Sequence, residues 1–187
     1  RVLSRRLGEG GAEEYLLRCA RAADALEALG PGIAPKVRIA LELPLGDVEE
    51  AILAACGEPW LDEALRELAR ANAEWGTKQG LADADRIAAF LAADPPERTG
   101  MICELVTIAH TKDGSPRKHS TKLLGFCGDY PDLCERLGAL CSRLSGLRAR
   151  AAMADLAASA LRAGQAYARA YVAAKRAAGV VDFDDLI

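Results

Sequence analysis

Four cations lie close together in one polar segment of a chain whose net charge is −3. They are Lys112, Arg117, Lys118 and Lys122, with Asp113 as the one acidic residue among them, so the local charge is about +3. Cations held on a turn between helices can bind nucleic-acid phosphates, with an affinity that depends on salt. The segment has no Phe, Tyr or Trp to stack on bases, which favours phosphate contact over base recognition. A solvated loop, or cations that interact with helix C-termini, is the alternative.

The six cysteines are spaced in a way that argues against disulfides and against a metal centre. No Cys-x-x-Cys pair of the kind used by zinc and iron–sulfur sites is present, and a chain of this length can build a core without disulfides. Cys134 and Cys141 can share one helix, whereas Gly128 and Pro131 interrupt the interval that begins at Cys127. The pattern predicts reduced, buried cysteines that act as small apolar residues.

The common signatures of an active site are missing from the sequence. It contains no G-x-x-x-x-G-K-[ST] phosphate loop, no G-x-G-x-x-G after a strand, no H-E-x-x-H and no G-x-S-x-G. His110 and His119 are far from each other and from paired carboxylates, which predicts surface or loop histidines. We therefore expect no catalytic, cofactor or metal site in the chain itself.

Composition predicts one folded, soluble, all-α unit. The chain has 187 residues, near the usual size of one domain, and 51% of them are hydrophobic but only 5% aromatic. Strands favour β-branched and aromatic residues, so a chain rich in alanine and leucine favours helices. No apolar run approaches the ~20 residues that cross a bilayer, and no secretory signal is visible, so we expect a cytoplasmic location and no membrane partner. A start at Arg1 and an apolar end at Ile187 predict a piece of a longer protein.

The elements that must position the basic segment are helices separated by Gly and Pro. Apolar spacing and end signals predict helices over 12–29, 47–56, 59–75, 82–93 and 95–110, followed by a polar loop over 111–120. Asp47 and Asp94 stand where a side chain caps a helix start, and Gly30, Gly57 and Gly76 stand at helix ends. Residues 33–46 alternate like a short strand but suit a loop or a helix equally well.

A long helical stretch follows from Pro131 to about Ala178. It is one helix or two in line, because no proline interrupts it. Its predicted apolar stripe runs through Leu133, Leu137, Leu140, Leu144 and Leu147, and then through Met153, Leu156, Ala160, Gly164, Tyr167 and Tyr171. At 1.5 Å per residue, such a stretch reaches on the order of 70 Å, which predicts an elongated multi-helix subdomain.

Three blocks of residues resemble one family of DNA helicases. The end of the chain, from Tyr167-Ala-Arg-Ala-Tyr171 to Asp182-Phe183-Asp184-Asp185-Leu186-Ile187, resembles the stretch upstream of the Walker B motif in UvrD/Rep-type superfamily 1 helicases. The segment Thr111-Lys112-Asp113-Gly114-Ser115-Pro116-Arg117-Lys118 is similar to a loop of the AddA-type subunit of bacterial double-strand-break repair helicase–nucleases. Trp75-Gly76-Thr77-Lys78-Gln79-Gly80, through Arg86 and Phe90, is similar to the same family.

The resemblance covers roughly residues 60–187 and departs from the family at His110, where an apolar residue is usual. It implies that residues 1–187 form a single 1B-like subdomain, inserted in the first motor domain. Residues 1–46 are not anchored by it, and residues 180–187 would begin the return into the motor domain.

The resemblance also implies the activity of a parent protein. That parent would be an ATP-dependent 3′-to-5′ DNA helicase with nuclease activity, which works with an AddB-type partner subunit on broken duplex ends before recombination. ATP and Mg²⁺ would be bound by the parent's other domains, since the Walker motifs flank this region. The basic segment then becomes a weak DNA interface without sequence preference. A helical protein-interaction scaffold is the alternative function.

The aspartates at positions 182, 184 and 185 are of the type that can bind a metal ion, but the residues around them favour a helix cap. Gly179 can end the long helix, and Asp182 with Asp185 three residues later can cap a new helix that carries Leu186 and Ile187. We therefore expect no metal ligand among these aspartates.

Overall fold

The computed structural model describes residues 2–181 of the protein. Within that range the fold is all-α, as the composition predicts, and the one β-type pairing is an isolated bridge between His110 and Pro116. The helices are α1 (Val2–Arg21), α2 (Ala23–Ala28), α3 (Ile33–Ala40), α4 (Val48–Cys56), α5 (Pro59–Trp75), α6 (Lys78–Ala92), α7 (Pro95–Met101), a 3₁₀ turn (Ile102–Leu105), α8 (Val106–Ala109), α9 (Thr121–Phe126) and α10 (Tyr130–Ala178). None of the helices described combines the length and the apolar character that crossing a membrane requires.

Local capping signals set several helix ends where the sequence predicts them. The Asp94 side chain accepts the Glu97 N–H at 2.9 Å and begins α7. The Asp47 side chain likewise begins α4. It accepts from the N–H of Glu49, two residues later, at 2.8 Å, whereas Asp94 accepts from the residue three positions later. Gly76 ends α5 with a left-handed φ of 66°, a conformation that favours glycine.

Several segments differ from the sequence prediction or decide between its alternatives. The helix predicted over 12–29 is divided at Ala22 into α1 and α2, and α6 begins at Lys78 instead of residue 82. The ambiguous residues 33–46 begin with α3 and contain no strand. The single helix predicted over 95–110 is broken by the 3₁₀ turn, where Ile102 and Leu105 are both buried. Residues three apart lie on one side of a 3₁₀ helix, so this geometry turns both side chains into the core.

The chain divides into two compact units. Unit 1 contains the residues up to Leu43 and those from Arg150 onward, and unit 2 is Pro44–Ala149. The predicted single 1B-like subdomain stays a prediction.

Unit 2 has an aliphatic core with one buried phenylalanine. Its fully buried large side chains are Ile52, Leu61, Leu65, Leu68, Ile87, Phe90, Ile102, Leu105, Ile108, Leu137 and Leu144. Each such side chain contributes about 1.5–3 kcal/mol through burial, which is the main favourable term that holds these helices together.

The turn between α5 and α6 brings these two helices into close contact. Thr77 caps α6 by accepting the N–H of Gly80 at 3.0 Å. A Cβ added at Gly80 would lie 2.7 Å from the main-chain oxygen of Asn72 and 3.0 Å from the Trp75 ring. Glycine is therefore required for α6 to approach α5, and this contact fixes the direction in which α6 leaves the turn.

Unit 1 packs α1 and α2 against the C-terminal part of α10, whose contact residues Gly164 and Ala168 are small. Cys19, Leu26 and Ala168 form its buried cluster. Gln165 of α10 is 7% exposed and donates to the main-chain oxygen of Leu26 at 2.9 Å and to that of Gly30 at 3.3 Å. These bonds satisfy carbonyl groups that the end of α2 leaves without helical partners.

Helix α10 is continuous over 49 residues, which decides between the one helix and the two that the sequence allows. Its first half follows the predicted leucine stripe, since Leu137, Leu140, Leu144 and Leu147 are buried. The prediction is wrong for Met153, which is 59% exposed, whereas Ala154 and Ala158 are buried. The larger side chain was expected inside, but alanine lets a neighbouring helix approach more closely.

Candidate nucleic-acid interface

The basic loop, residues 111–120, is a hydrogen-bonded turn rather than an open coil. The N–H of Thr111 donates to the oxygen of Ser115 at 2.9 Å, and the N–H of Arg117 donates to that of Ala109, also at 2.9 Å. Gly114 adopts a φ of 82° at the tip, and its N–H donates to the Thr111 oxygen at 3.0 Å. These bonds bring the two ends of the loop side by side, next to the bridge between His110 and Pro116.

The acidic residue of the loop is used inside the turn. The Asp113 carboxylate accepts from the hydroxyl of Thr111 and, at 3.2 Å, from that of Ser115. The hydrogen bond from Thr111 is the main reason that the pKa of Asp113 is below its usual value, with further bonds from the turn adding to it. Asp113 therefore remains ionised at neutral pH and stabilises the turn as an acceptor.

Three of the four predicted DNA contacts are exposed cations. Lys112 and Lys118 lie in the loop, and Lys122 follows it in α9, whose first turn is capped by Ser120. Among residues 2–181 none of the three lysines has an ion pair or a side-chain hydrogen bond. Their ammonium groups are available to an anion from solvent.

Arg117, the fourth predicted contact, has a different environment. Its side chain is 29% exposed, and its Nε donates to the main-chain oxygen of His110 at 3.2 Å. One terminal nitrogen lies 3.7 Å from an oxygen of Asp83. The structure thus brings three lysines to the surface and turns Arg117 toward the base of the loop.

Asp83 of α6 is the buried acid at that base, and its side chain is 4% exposed. Both of its carboxylate oxygens accept from the Gln79 amide at 3.0 Å, and one accepts from Arg86 at 2.8 Å. Arg86 also donates to the hydroxyl of Thr107 at 3.0 Å. Sequence reasoning missed this group, although a signal was present: Asp83 lies on the same helical face as the buried Gly80, Ile87 and Phe90.

Comparison with known proteins found no matching family model, no matching curated protein and no matching solved structure. The similarity of the loop to AddA-type helicases therefore rests on the residues alone and stays a prediction.

The two histidines lie at the two ends of the loop, and neither is a simple surface residue. His110 packs on Gly138 of α10, and its Nδ1 is buried with no hydrogen-bond partner in the described chain. Its position at the loop agrees with the prediction of surface or loop histidines, but its side chain is partly buried, because the absence of a side chain on Gly138 leaves space that the imidazole fills. His119 lies edge-on to Tyr130 with ring centroids 4.9 Å apart. Burial, and then the charge of Arg117, lower the pKa of His119.

All six cysteines are free thiols, and all except the half-buried Cys103 are buried, so the predicted role as small apolar residues is confirmed for five. Burial is the main cause that raises the pKa of Cys134 and that of Cys141 to about 12. Both remain protonated and poorly nucleophilic at neutral pH. Residues 2–181 contain no cluster of three or more His, Cys, Asp or Glu side chains that would hold a metal ion.

The end of α10 agrees with the sequence up to the last residues described. Gly179 has a left-handed φ of 62°, and the N–H of Val180 returns to the oxygen of Lys175 at 3.1 Å, so glycine ends the helix as predicted. The acidic segment Asp182-Phe183-Asp184-Asp185, for which the sequence predicts a helix cap, lies outside the described residues.

Proposed function

We propose that the chain is a DNA-contacting, 1B-like subdomain of an ATP-dependent 3′-to-5′ DNA helicase–nuclease of the AddA type. The observation that carries the proposal is a set of three exposed lysines: Lys112 and Lys118 lie on a hydrogen-bonded turn, and Lys122 lies in the helix that follows it. The resemblance of the loop and of the residues on either side to that family supports it.

The chemistry of the loop fits a phosphate backbone better than bases. A lysine ammonium is a compact point charge that attracts a phosphate without imposing the two-point geometry of an arginine fork. No Phe, Tyr or Trp lies in residues 111–120 to stack on a base, and a helicase must move over any sequence. We therefore expect binding that is weak, independent of sequence and strongly dependent on salt.

The remaining parts of the function belong to the parent protein in this proposal. Its motor domains would bind ATP and Mg²⁺, and an AddB-type subunit would be its partner in processing double-strand breaks in the cytoplasm. The chain itself would contribute a cationic surface near the translocated strand or the duplex ahead of it.

A charge-removal experiment tests the proposed DNA contact. The variant K112A/K118A/K122A is compared with the wild type by fluorescence anisotropy on a labelled oligonucleotide, single-stranded and duplex, across a series of salt concentrations. Each lost phosphate contact should lower the slope of log affinity against log salt by about 0.7 on single strands or about 0.9 on duplex DNA. The matched control R21A/R143A/R176A removes the same charge from exposed positions outside the loop.

We expect the control to keep most of the salt slope and the loop variant to lose it. Equal slopes for wild type and loop variant would exclude the loop as the DNA interface. A second test is the flanking sequence of the parent, in which a phosphate loop upstream and a Walker B strand just after Ile187 are expected.

A further inference from the structure

The base of the basic loop contains a buried carboxylate between two arginines. Asp83 is almost fully removed from solvent, and burial of an ionised carboxylate is costly unless charged or polar partners compensate it. Arg86 compensates it from the next turn of α6, and Arg117 approaches it from the loop. Among the described acids, Asp83 alone lies within ion-pair distance of both an arginine of α6 and an arginine of the loop segment.

Arg117 closes the turn with both its main chain and its side chain. Its N–H bonds to Ala109, and its guanidinium spans the oxygen of His110 and the carboxylate of Asp83. The planar guanidinium has donors on separate nitrogens, so one side chain donates a hydrogen bond to His110 and at the same time lies within ion-pair distance of Asp83. A lysine has one ammonium nitrogen and cannot reproduce that pair of contacts in the same geometry.

We propose that Asp83, acting through Arg117, is the residue that positions the basic loop, and that Arg117 is an anchor of the loop rather than a phosphate ligand. The inference rests on the proposed function for what the loop binds, and on contacts within unit 2 for how the loop is held. The four cations of the segment then have two roles: Arg117 fixes the turn, and the three lysines contact DNA.

The conservative exchange R117K distinguishes an anchor from a ligand. A phosphate ligand keeps its charge in R117K, so the DNA affinity and its salt slope should survive the exchange. An anchor loses its two-acceptor geometry, so R117K should behave like R117A.

Amide hydrogen exchange in the full chain measures the anchoring without DNA. The reporters are the amides of Thr111 and Arg117, which donate across the turn. In D83N and in R117K we expect these two amides to exchange about tenfold faster, because a charge-assisted interaction that holds the turn is lost. D85N is the matched control, since Asp85 is an exposed acid on the same helix. Unchanged exchange of the reporter amides in R117K, with the global fold intact by circular dichroism, would overturn the anchoring role.

The salt-dependent DNA-binding assay then tests whether Arg117 and the three lysines have these different roles. We expect D83N, R117K and R117A to weaken binding severalfold while the salt slope stays at the wild-type value. If R117A lowered the slope by about 0.7 to 0.9 and R117K restored it, Arg117 would be a phosphate ligand and the proposal would be wrong. If the wild type bound no DNA, the proposed function would fail, and hydrogen exchange alone would decide whether Asp83 anchors the loop.

Discussion

At the scale of single residues, the contact between His110 and Gly138 shows how one absent side chain shapes the entrance of the loop. A Cβ at position 138 would lie 2.3 Å from Cε1 of His110 and 2.9 Å from its Nδ1. The imidazole and the surface of α10 therefore exclude any larger residue at this point unless the ring moves.

The first prediction is that G138A destabilises the protein. Overpacking at a buried contact costs about 1–3 kcal/mol, which exceeds the gain of up to about 1 kcal/mol from alanine in a helix. Urea unfolding should show this loss in G138A. G146A should instead be as stable as the wild type or more so, because an added Cβ on Gly146 meets nothing within 4 Å.

The double variant H110A/G138A identifies the cause. With the ring removed, adding G138A to H110A should no longer reduce the free energy of unfolding. A loss of the same size in both backgrounds would mean that the cost of G138A does not arise from His110.

The second prediction concerns the pH dependence contributed by His119. Its pKa in the folded chain is below the ordinary value of 6.5, so the unfolded chain binds a proton more readily. The stability that neutral His119 contributes is complete above pH 6.5 and is lost as the pH falls toward the folded pKa.

H119F removes this titration and keeps an aromatic ring beside Tyr130. We expect the free energy of unfolding to fall less in H119F than in the wild type between about pH 7.5 and about pH 5.5. If the free energy of unfolding changed equally with pH in the two proteins across this range, His119 would have the same pKa in the folded and unfolded states.

At the scale of helices, the N-terminal caps are the clearest local determinants. In the third prediction, D94A lowers the free energy of unfolding by about 1 kcal/mol, because the N–H of Glu97 loses its acceptor at the start of α7. D94S should retain most of the stability, since serine also caps well. If D94S lost as much as D94A in urea unfolding, the contribution of Asp94 would have to come from something other than the cap.

Caps and helix-ending glycines were predictable because their information is local. Asp94 and Gly76 act on main-chain groups within a few residues, so the sequence alone indicates their roles. The ion pair of Asp83 with Arg117 joins positions 34 residues apart in the printed sequence, and periodicity indicates only that Asp83 faces inward. The exposure of Met153 was unpredictable for a related reason: the face of α10 that is buried depends on which helix packs there.

At the scale of the whole molecule, the net charge and the local charge of the basic segment have opposite signs. The chain is acidic in total, yet three of its exposed lysines, Lys112, Lys118 and Lys122, lie in or directly after one loop of unit 2. A cationic patch of this kind can bind a polyanion despite the net charge, because screening in salt limits repulsion from distant acids to about 10 Å.

The fourth prediction is that the purified chain does not hydrolyse ATP, with or without DNA. The printed sequence contains no phosphate loop, which is the element that holds the β- and γ-phosphates in such motors. A coupled ATPase assay with wild type and K112A/K118A/K122A prepared in the same way checks this and corrects for contaminating enzymes. Turnover by the wild type that DNA stimulates, and that the variant lacks, would contradict the prediction.

The small residues with which α10 contacts α1 and α2 determine which mutations unit 1 can accept. A Cβ on Gly164 would lie 2.6 Å from Sγ of Cys19, while Ala168 and Cys19 already fill the buried cluster. Truncation removes few atoms from such an interface, whereas enlargement forces the helices apart. Random mutagenesis of unit 1 should therefore select against gains in side-chain volume, and that of unit 2, with its leucine and isoleucine core, against losses.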